Sequence, residues 1–155
     1  MRDDLIYLAC PYSAPDNATR RIRWVQSADA AAWLVRQGKV VFSPITHSDP
    51  IARIGDIDPL DFEVWNRQNE VFMTHADVLY VLALEGWQKS KGIQAEVKNF
   101  QQQGKPVYML RPVKHQTTRC DHVAGYTVVP YGQRGRTPGM KVKGKCGRPC
   151  KVRSE

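Results

Sequence analysis

The sequence predicts an α/β protein with a doubly wound, Rossmann-like (flavodoxin-like) parallel sheet of about four to five strands, helices on both faces, and a basic disordered C-terminal tail. Three observations predict it. Short apolar runs alternate with longer amphipathic stretches from Leu5 to Leu110. The run from Asp77 to Leu84 is apolar throughout after its first residue, as a strand covered on both faces requires. The positive charge is concentrated after Gly132.

Leu5 to Ala9 is a buried first strand, closed off by Pro11. Asp16 or Asn17 caps a helix that runs to about Gln37, where Gly38 supplies the stop; Ile22, Val25, Ala28, Ala32 and Val35 form its apolar stripe. Val40 to Phe42 is a second strand, and Pro44 to Pro59 reads as a long polar loop carrying His47. A second helix starts at Asp61 and ends near His75, with Val64, Trp65, Val71 and Phe72 on its apolar side. The strand from Asp77 to Leu84 is followed by a loop from Glu85 to Gly92. A third helix then buries Ile93, Val97 and Phe100. Gly104-Lys-Pro106 punctuates the chain before a strand from Val107 to Leu110, and Tyr126 to Val129 can add one more.

At 155 residues the chain supports one core, read as residues 1–131, with 132–155 as a Gly/Pro-rich tail. The hydrophobic fraction of 42% suits a soluble globular protein. No apolar run approaches the roughly 20 residues of a membrane helix, and Met1 to Asp4 lacks the character of a signal peptide, so a cytoplasmic protein with no membrane partner is expected. The formal charge is +8, but Gln133 to Glu155 holds eight basic residues against one acid. The body is therefore close to neutral, and weak nucleic-acid contact is expected of the tail alone. Arg134-Gly-Arg136-Thr-Pro138 and Gly147-Arg-Pro149 resemble incomplete copies of the Arg-Gly-Arg-Pro core of AT-hook peptides. Four cysteines without a secretion signal do not read as a disulfide framework. Cys120, His122, Cys146 and Cys150 form a loose alternative zinc set; the expectation is that the protein uses neither metal nor cofactor.

Ligands of open parallel sheets bind beyond the carboxyl ends of the strands, which directs attention to three loops. The first, with Pro11, Tyr12 and Ser13, runs into a helix N-terminus with Arg20 in the opening turns. Amide donors and a guanidinium there suit an anion, and an ordinary strand-to-helix turn explains the same residues. The second loop places His47 at the same edge, available to hydrogen-bond a base or to stand free on the surface. In the third, Trp87 can stack on a base or pack, and Ser90, Gly92 and Glu96 are spaced S-x-G-x-x-x-E. Ser90 can cap the following helix, Gly92 permits close backbone approach, and Glu96 either faces a ligand or complements the helix dipole.

Ile6-Tyr-Leu-Ala-Cys-Pro-Tyr-Ser13, Val41-Phe-Ser-Pro-Ile-Thr-His47, and Ala76-Asp-Val-Leu-Tyr-Val-Leu82 with Gly86-Trp-Gln-Lys-Ser-Lys-Gly-Ile-Gln-Ala-Glu96 agree in order and spacing with one family. Over residues 5 to 112 the chain resembles the nucleoside 2-deoxyribosyltransferase superfamily, in particular its nucleotide N-glycosidase-like bacterial and phage branch. The resemblance implies that Glu96 is a nucleophile toward the anomeric carbon of a nucleoside or nucleotide, forming a glycosyl-enzyme that water releases. Tyr7 matches the family's ligand-side tyrosine.

In relatives an acid tied to protonation of the leaving base stands where this chain has Asn69. A carboxamide cannot donate a proton as a carboxylic acid does, so the resemblance implies that Glu70 or Asp77 substitutes, that the base needs little help, or that catalysis is slow. Asp77 equally well closes the start of its strand. Ser90 stands where nucleoside transferases carry Asp and nucleotide hydrolases carry Ser, which implies a 5′-monophosphate substrate with water as acceptor. Relatives are homo-oligomers whose neighbouring subunit completes the pocket. The leading expectation is N-glycosidic hydrolysis of a (deoxy)nucleoside 5′-monophosphate. Deoxyribosyl transfer between nucleosides, and a non-catalytic nucleotide-sensing or DNA-associated module, are the alternatives.

Overall fold

Along the first strand, β1 (Leu5–Ala9), Ile6 and Leu8 enter one apolar cluster while Tyr7 and Ala9 enter another, because successive side chains of a strand point to opposite faces. The computed structural model describes residues 3–114 and 123–132. Within them the element order is β1, α1 (Asn17–Arg36), β2 (Val40–Phe42), α2 (Pro44–Gly55), α3 (Phe62–His75), β3 (Val78–Leu82), a 3-10 turn (Trp87–Lys89), α4 (Lys91–Gln102), β4 (Val107–Lys114) and β5 (Val123–Pro130). The sheet order is β2-β1-β3-β4-β5, the flavodoxin-like doubly wound order. The first four strands run parallel, and β5 returns antiparallel to β4. The α/β class, the strand count and the helices on both faces agree with the sequence.

Each face buries its own core. On one, Trp33 and Leu34 of α1 and Ile45 of α2 pack on Ile6, Leu8, Leu82 and Tyr126. On the other, Met73 of α3 and Ile93, Val97 and Phe100 of α4 pack on Tyr7, Leu79 and Val81. Tyr7, Leu8, Leu79 and Phe100 are fully buried, and each such side chain contributes about 1.5–3 kcal/mol by leaving water.

Four expectations need correction. Residues 44–55 of the expected polar loop are a helix: Pro44 occupies the first turn of α2, where its missing N–H costs nothing, and Ile45, Asp49 and Ala52 recur on the buried side. Pro50 inside the helix and the density of polar residues hide that pattern in the sequence. The apolar stripe of α1 lies elsewhere. Ile22, Val25 and Val35 are exposed, whereas Ser27, Ala30, Trp33 and Leu34 face the sheet. In α3, Val64 and Val71 are likewise exposed and Trp65 and Met73 are buried. Period alone does not say which of two weakly apolar sides meets a partner. The central strand is also shorter than the run from Asp77 to Leu84, with pairing confined to Val78–Leu82.

Among the described residues no helix is long and apolar enough to cross a membrane. The tail from Gln133 onward, its AT-hook-like segments, and Cys120, His122, Cys146 and Cys150 lie outside the described residues.

Candidate functional site

The third loop ends at Ser90, whose Oγ accepts a hydrogen bond from the Ile93 amide at 3.4 Å and so opens α4. With Ile93, Val97 and Phe100 turned to the sheet, Glu96 stands at the margin of the buried stripe, on the side that faces α3. Its Oε1 accepts the phenolic hydrogen of Tyr7 at 2.9 Å. Tyr7 comes from the middle of β1 and is fully buried, so it holds the carboxylate from beneath at a fixed place. Burial pushes the Glu96 carboxyl up to about 7, and the Tyr7 hydrogen bond acts in the opposite sense by favouring the ionised form. The Tyr7 hydroxyl is itself raised well above its ordinary value, first by burial and then by the adjacent carboxylate, so it remains a donor. Among the described residues Tyr7 is the only hydrogen-bond partner of Glu96, which leaves Oε2 available to a ligand.

Two cavities meet at this side chain. One, of about 140 Å³, has Glu96, Asn69, Asp61, Ser13, Gly92 and Trp65 among its walls. The other, of about 260 Å³, runs toward Glu70, Lys98 and Asn99. Phe62, Asn66, Ala95 and Glu96 belong to both. Glu96 is therefore the one carboxylate among the described residues that lines both. Trp65 is fixed here by its indole N–H, which donates to the Asp58 carbonyl at 2.9 Å, and Asp61 caps α3 by accepting from the Glu63 and Val64 amides.

Of the residues anticipated from the sequence, Ser13, Asn69, Gly92 and Glu96 line the first cavity and Tyr7 underlies it. The others do different work. Asp77 lies at the amino ends of the strands, where its Oδ2 accepts from the Leu5 amide at 2.8 Å, as the strand-closing alternative expects, and it lines neither cavity. Arg20 spends Nη1 on the carbonyls of Ala14 (2.6 Å) and Pro15 (3.4 Å), and Arg23 clamps the Ser13 carbonyl at 2.7 Å. The N-terminus of α1 already has an anion, because the Asp16 carboxylate accepts from the Thr19 amide at 2.6 Å and is held below its usual range by that bond. The first loop is therefore a braced turn rather than an open anion site.

Tyr12 donates to the buried Asp49 at 2.9 Å, and Arg53 pairs with the same carboxylate at 2.8 Å. Pro11 is fully buried packing. His47 is exposed on α2 and rests against Phe42 and Phe72, which stack at 3.8 Å, rather than lining the cavity. Trp87 meets Tyr131 edge-on at 6.0 Å. Ser90 serves as the helix cap and lines neither cavity. Cys10 is buried and its thiol is pushed up to about 12 by that burial, which leaves it inert as a nucleophile at neutral pH. No cluster of His, Cys, Asp and Glu among the described residues is arranged to hold a metal ion.

Sequence reasoning missed Asn66, Asp61 and Phe62. The spacing of Asn66 to Asn69 was a usable signal, since residues three apart share a helix face; nothing local indicated that this face looks at Glu96. The family described as Domain of unknown function (DUF1937) matches residues 4–111. No curated protein matches the chain.

Proposed function

We propose that this chain, which belongs to the DUF1937 family, cleaves the N-glycosidic bond of a nucleoside or nucleoside 5′-monophosphate through a covalent intermediate on Glu96. The observation that carries the reading is the hydrogen bond from Tyr7 to a half-buried Glu96 on the wall common to both cavities. The resemblance of three loop segments to the nucleoside 2-deoxyribosyltransferase superfamily supports the same residue.

As the bond from C1′ to the base nitrogen lengthens, positive charge grows on C1′ and the ring oxygen, and a carboxylate on the opposite face is attracted to it. Glu96 Oε2 then forms a bond to C1′ while the base departs with the electron pair and takes a proton from water. A second water attacks C1′ and breaks the ester to Glu96. The proton it gives up balances the one taken by the base, so one water is consumed in all. Tyr7 keeps Oε1 in place throughout, and because its hydroxyl stays protonated the carboxylate has a constant donor. Asn69, in the first cavity, offers a hydrogen bond to the base without acting as an acid.

A second reading is favoured by the charge of the first cavity. Among the described residues its lining contains Asp61 and Glu96 and no Lys or Arg. A phosphate there would face repulsion, and Ser90 is occupied with the helix end, so an uncharged nucleoside fits this cavity better than its monophosphate. In that case a second base, rather than water, is a suitable acceptor, and the reaction is deoxyribosyl transfer.

The test is incubation of the protein with ribo- and deoxyribonucleosides and their 5′-monophosphates, with and without a second free base, followed by chromatography of the bases. Release or exchange that disappears in Glu96→Ala, with a sugar adduct on Glu96 by mass spectrometry, is the expected result. Base release that survives Glu96→Ala, or binding without release from any substrate, would overturn the reading and leave a non-catalytic binding module.

A further inference from the structure

The orientation of one carboxamide in the lining that holds Glu96 can be deduced without knowing the ligand. Asn66 and Glu70 are one turn apart on α3, and Asn66 Nδ2 lies 2.8 Å from Glu70 Oε1. An ionised carboxylate only accepts, so the amide nitrogen must be the atom turned toward Glu70, and the ambiguity between N and O that affects most carboxamides is resolved here by chemistry. The Asn66 Oδ1 is then left as an acceptor, on a residue that lines both cavities as Glu96 does. Asn69 has no such anchor among the described residues, so its carboxamide can turn to suit either kind of partner.

We infer that Asn66, oriented by Glu70, selects bases that present an exocyclic amino group over the otherwise matching bases that present a keto oxygen. This deepens the proposed reading, on which it rests for the class of ligand. An amino group donates to Oδ1. A keto oxygen in its place sets two acceptors against each other and leaves both without a partner, which costs on the order of tenfold in affinity or kcat/KM where the site is partly desolvated. Adenine against hypoxanthine and cytosine against uracil differ at this group and at the adjacent ring nitrogen, which accepts in the amino member and carries a hydrogen in the keto member; Asn69, whose carboxamide can turn, can meet that nitrogen in either form. Glu70 also lines the second cavity, but in this selection it is a positioning residue: its effect is to prevent Asn66 from turning over.

The experiment compares kcat/KM for base release from adenosine and inosine, and from cytidine and uridine, as nucleosides and as 5′-monophosphates. Binding of the four free bases is measured alongside by calorimetry. The wild type should favour the amino member of each pair by at least about tenfold. In Glu70→Gln the new carboxamide can donate as well as accept, so Asn66 is free to flip, and the preference should shrink to about threefold or less, mainly because the keto ligands improve. A general structural defect would lower all four ligands together and would not move the ratio. Equal treatment of amino and keto partners by the wild type, a ratio unchanged in Glu70→Gln, or no binding of any base would overturn the inference. If no substrate releases its base, the cleavage reading fails by itself, and the free-base ratios still decide the role of Asn66.

Discussion

Tyr7 and Glu96, 89 residues apart in the chain, meet at 2.9 Å, and this contact favours the ionised form of the one carboxylate that both cavities share. Burial raises the Glu96 carboxyl to about 7 while Tyr7 resists the rise, so near neutral pH the protonated and ionised forms are both populated. A nucleophile must be ionised.

Base release by the wild type should therefore rise with pH through an apparent pKa of about 7, rather than through the usual carboxylate range. A pH profile of kcat/KM from pH 5 to pH 9 measures it. An acid limb centred near 4.5 would show that the group responsible is not a desolvated carboxyl.

Tyr7→Phe removes the hydrogen bond that favours the ionised form, leaving burial unopposed. The acid limb should move to higher pH by up to about one unit, and activity lost at pH 7 should be partly recovered at pH 8.5. A uniform loss with no displacement of the profile would assign Tyr7 to packing alone.

Glu96 should also make the fold less stable as pH rises. Its folded value, about 7, lies above its unfolded value, so between roughly 4.5 and 7 the native state binds more protons and stability falls with increasing pH, levelling above 7. Glu96→Gln removes the buried charge and still accepts from Tyr7. Thermal denaturation should show it more stable than wild type by about 1–3 kcal/mol at pH 8 and little different at pH 4.

Asp77→Ala should separate stability from chemistry. The variant loses the acceptor for the Leu5 amide and should unfold about 1–3 kcal/mol more easily. Below its melting transition it should retain kcat/KM within about twofold. A large selective loss of kcat would return Asp77 to the reaction.

Much of the site was legible in the order of the loops. Ser13, Gly92 and Glu96 follow strands in a doubly wound sheet, and such loops gather at one edge whatever their sequence, so their convergence on one cavity could be anticipated. Tyr7 was legible only through resemblance, because a tyrosine in an apolar strand looks like core until its hydroxyl is seen to reach Glu96. The residues for which the sequence left two roles open are polar side chains with more than one satisfactory partner. Arg20 binds its own loop, Ser90 its own helix, and Asp77 the neighbouring strand. Each is a short-range or edge interaction that competes with a ligand, and the chain alone does not rank such partners.

The alternation along β1 and β3 and the spacing of Ile93, Val97 and Phe100 were determined by the sequence itself, since a strand's period of two and a strong helical stripe are local properties that need no knowledge of neighbours. The buried side of α1, the helix from Pro44 to Gly55, and the placing of Asn66 and Glu96 on the wall of one cavity were decided only by tertiary packing. In those places the local pattern admits more than one arrangement, and the choice falls to whichever surface the rest of the fold brings opposite.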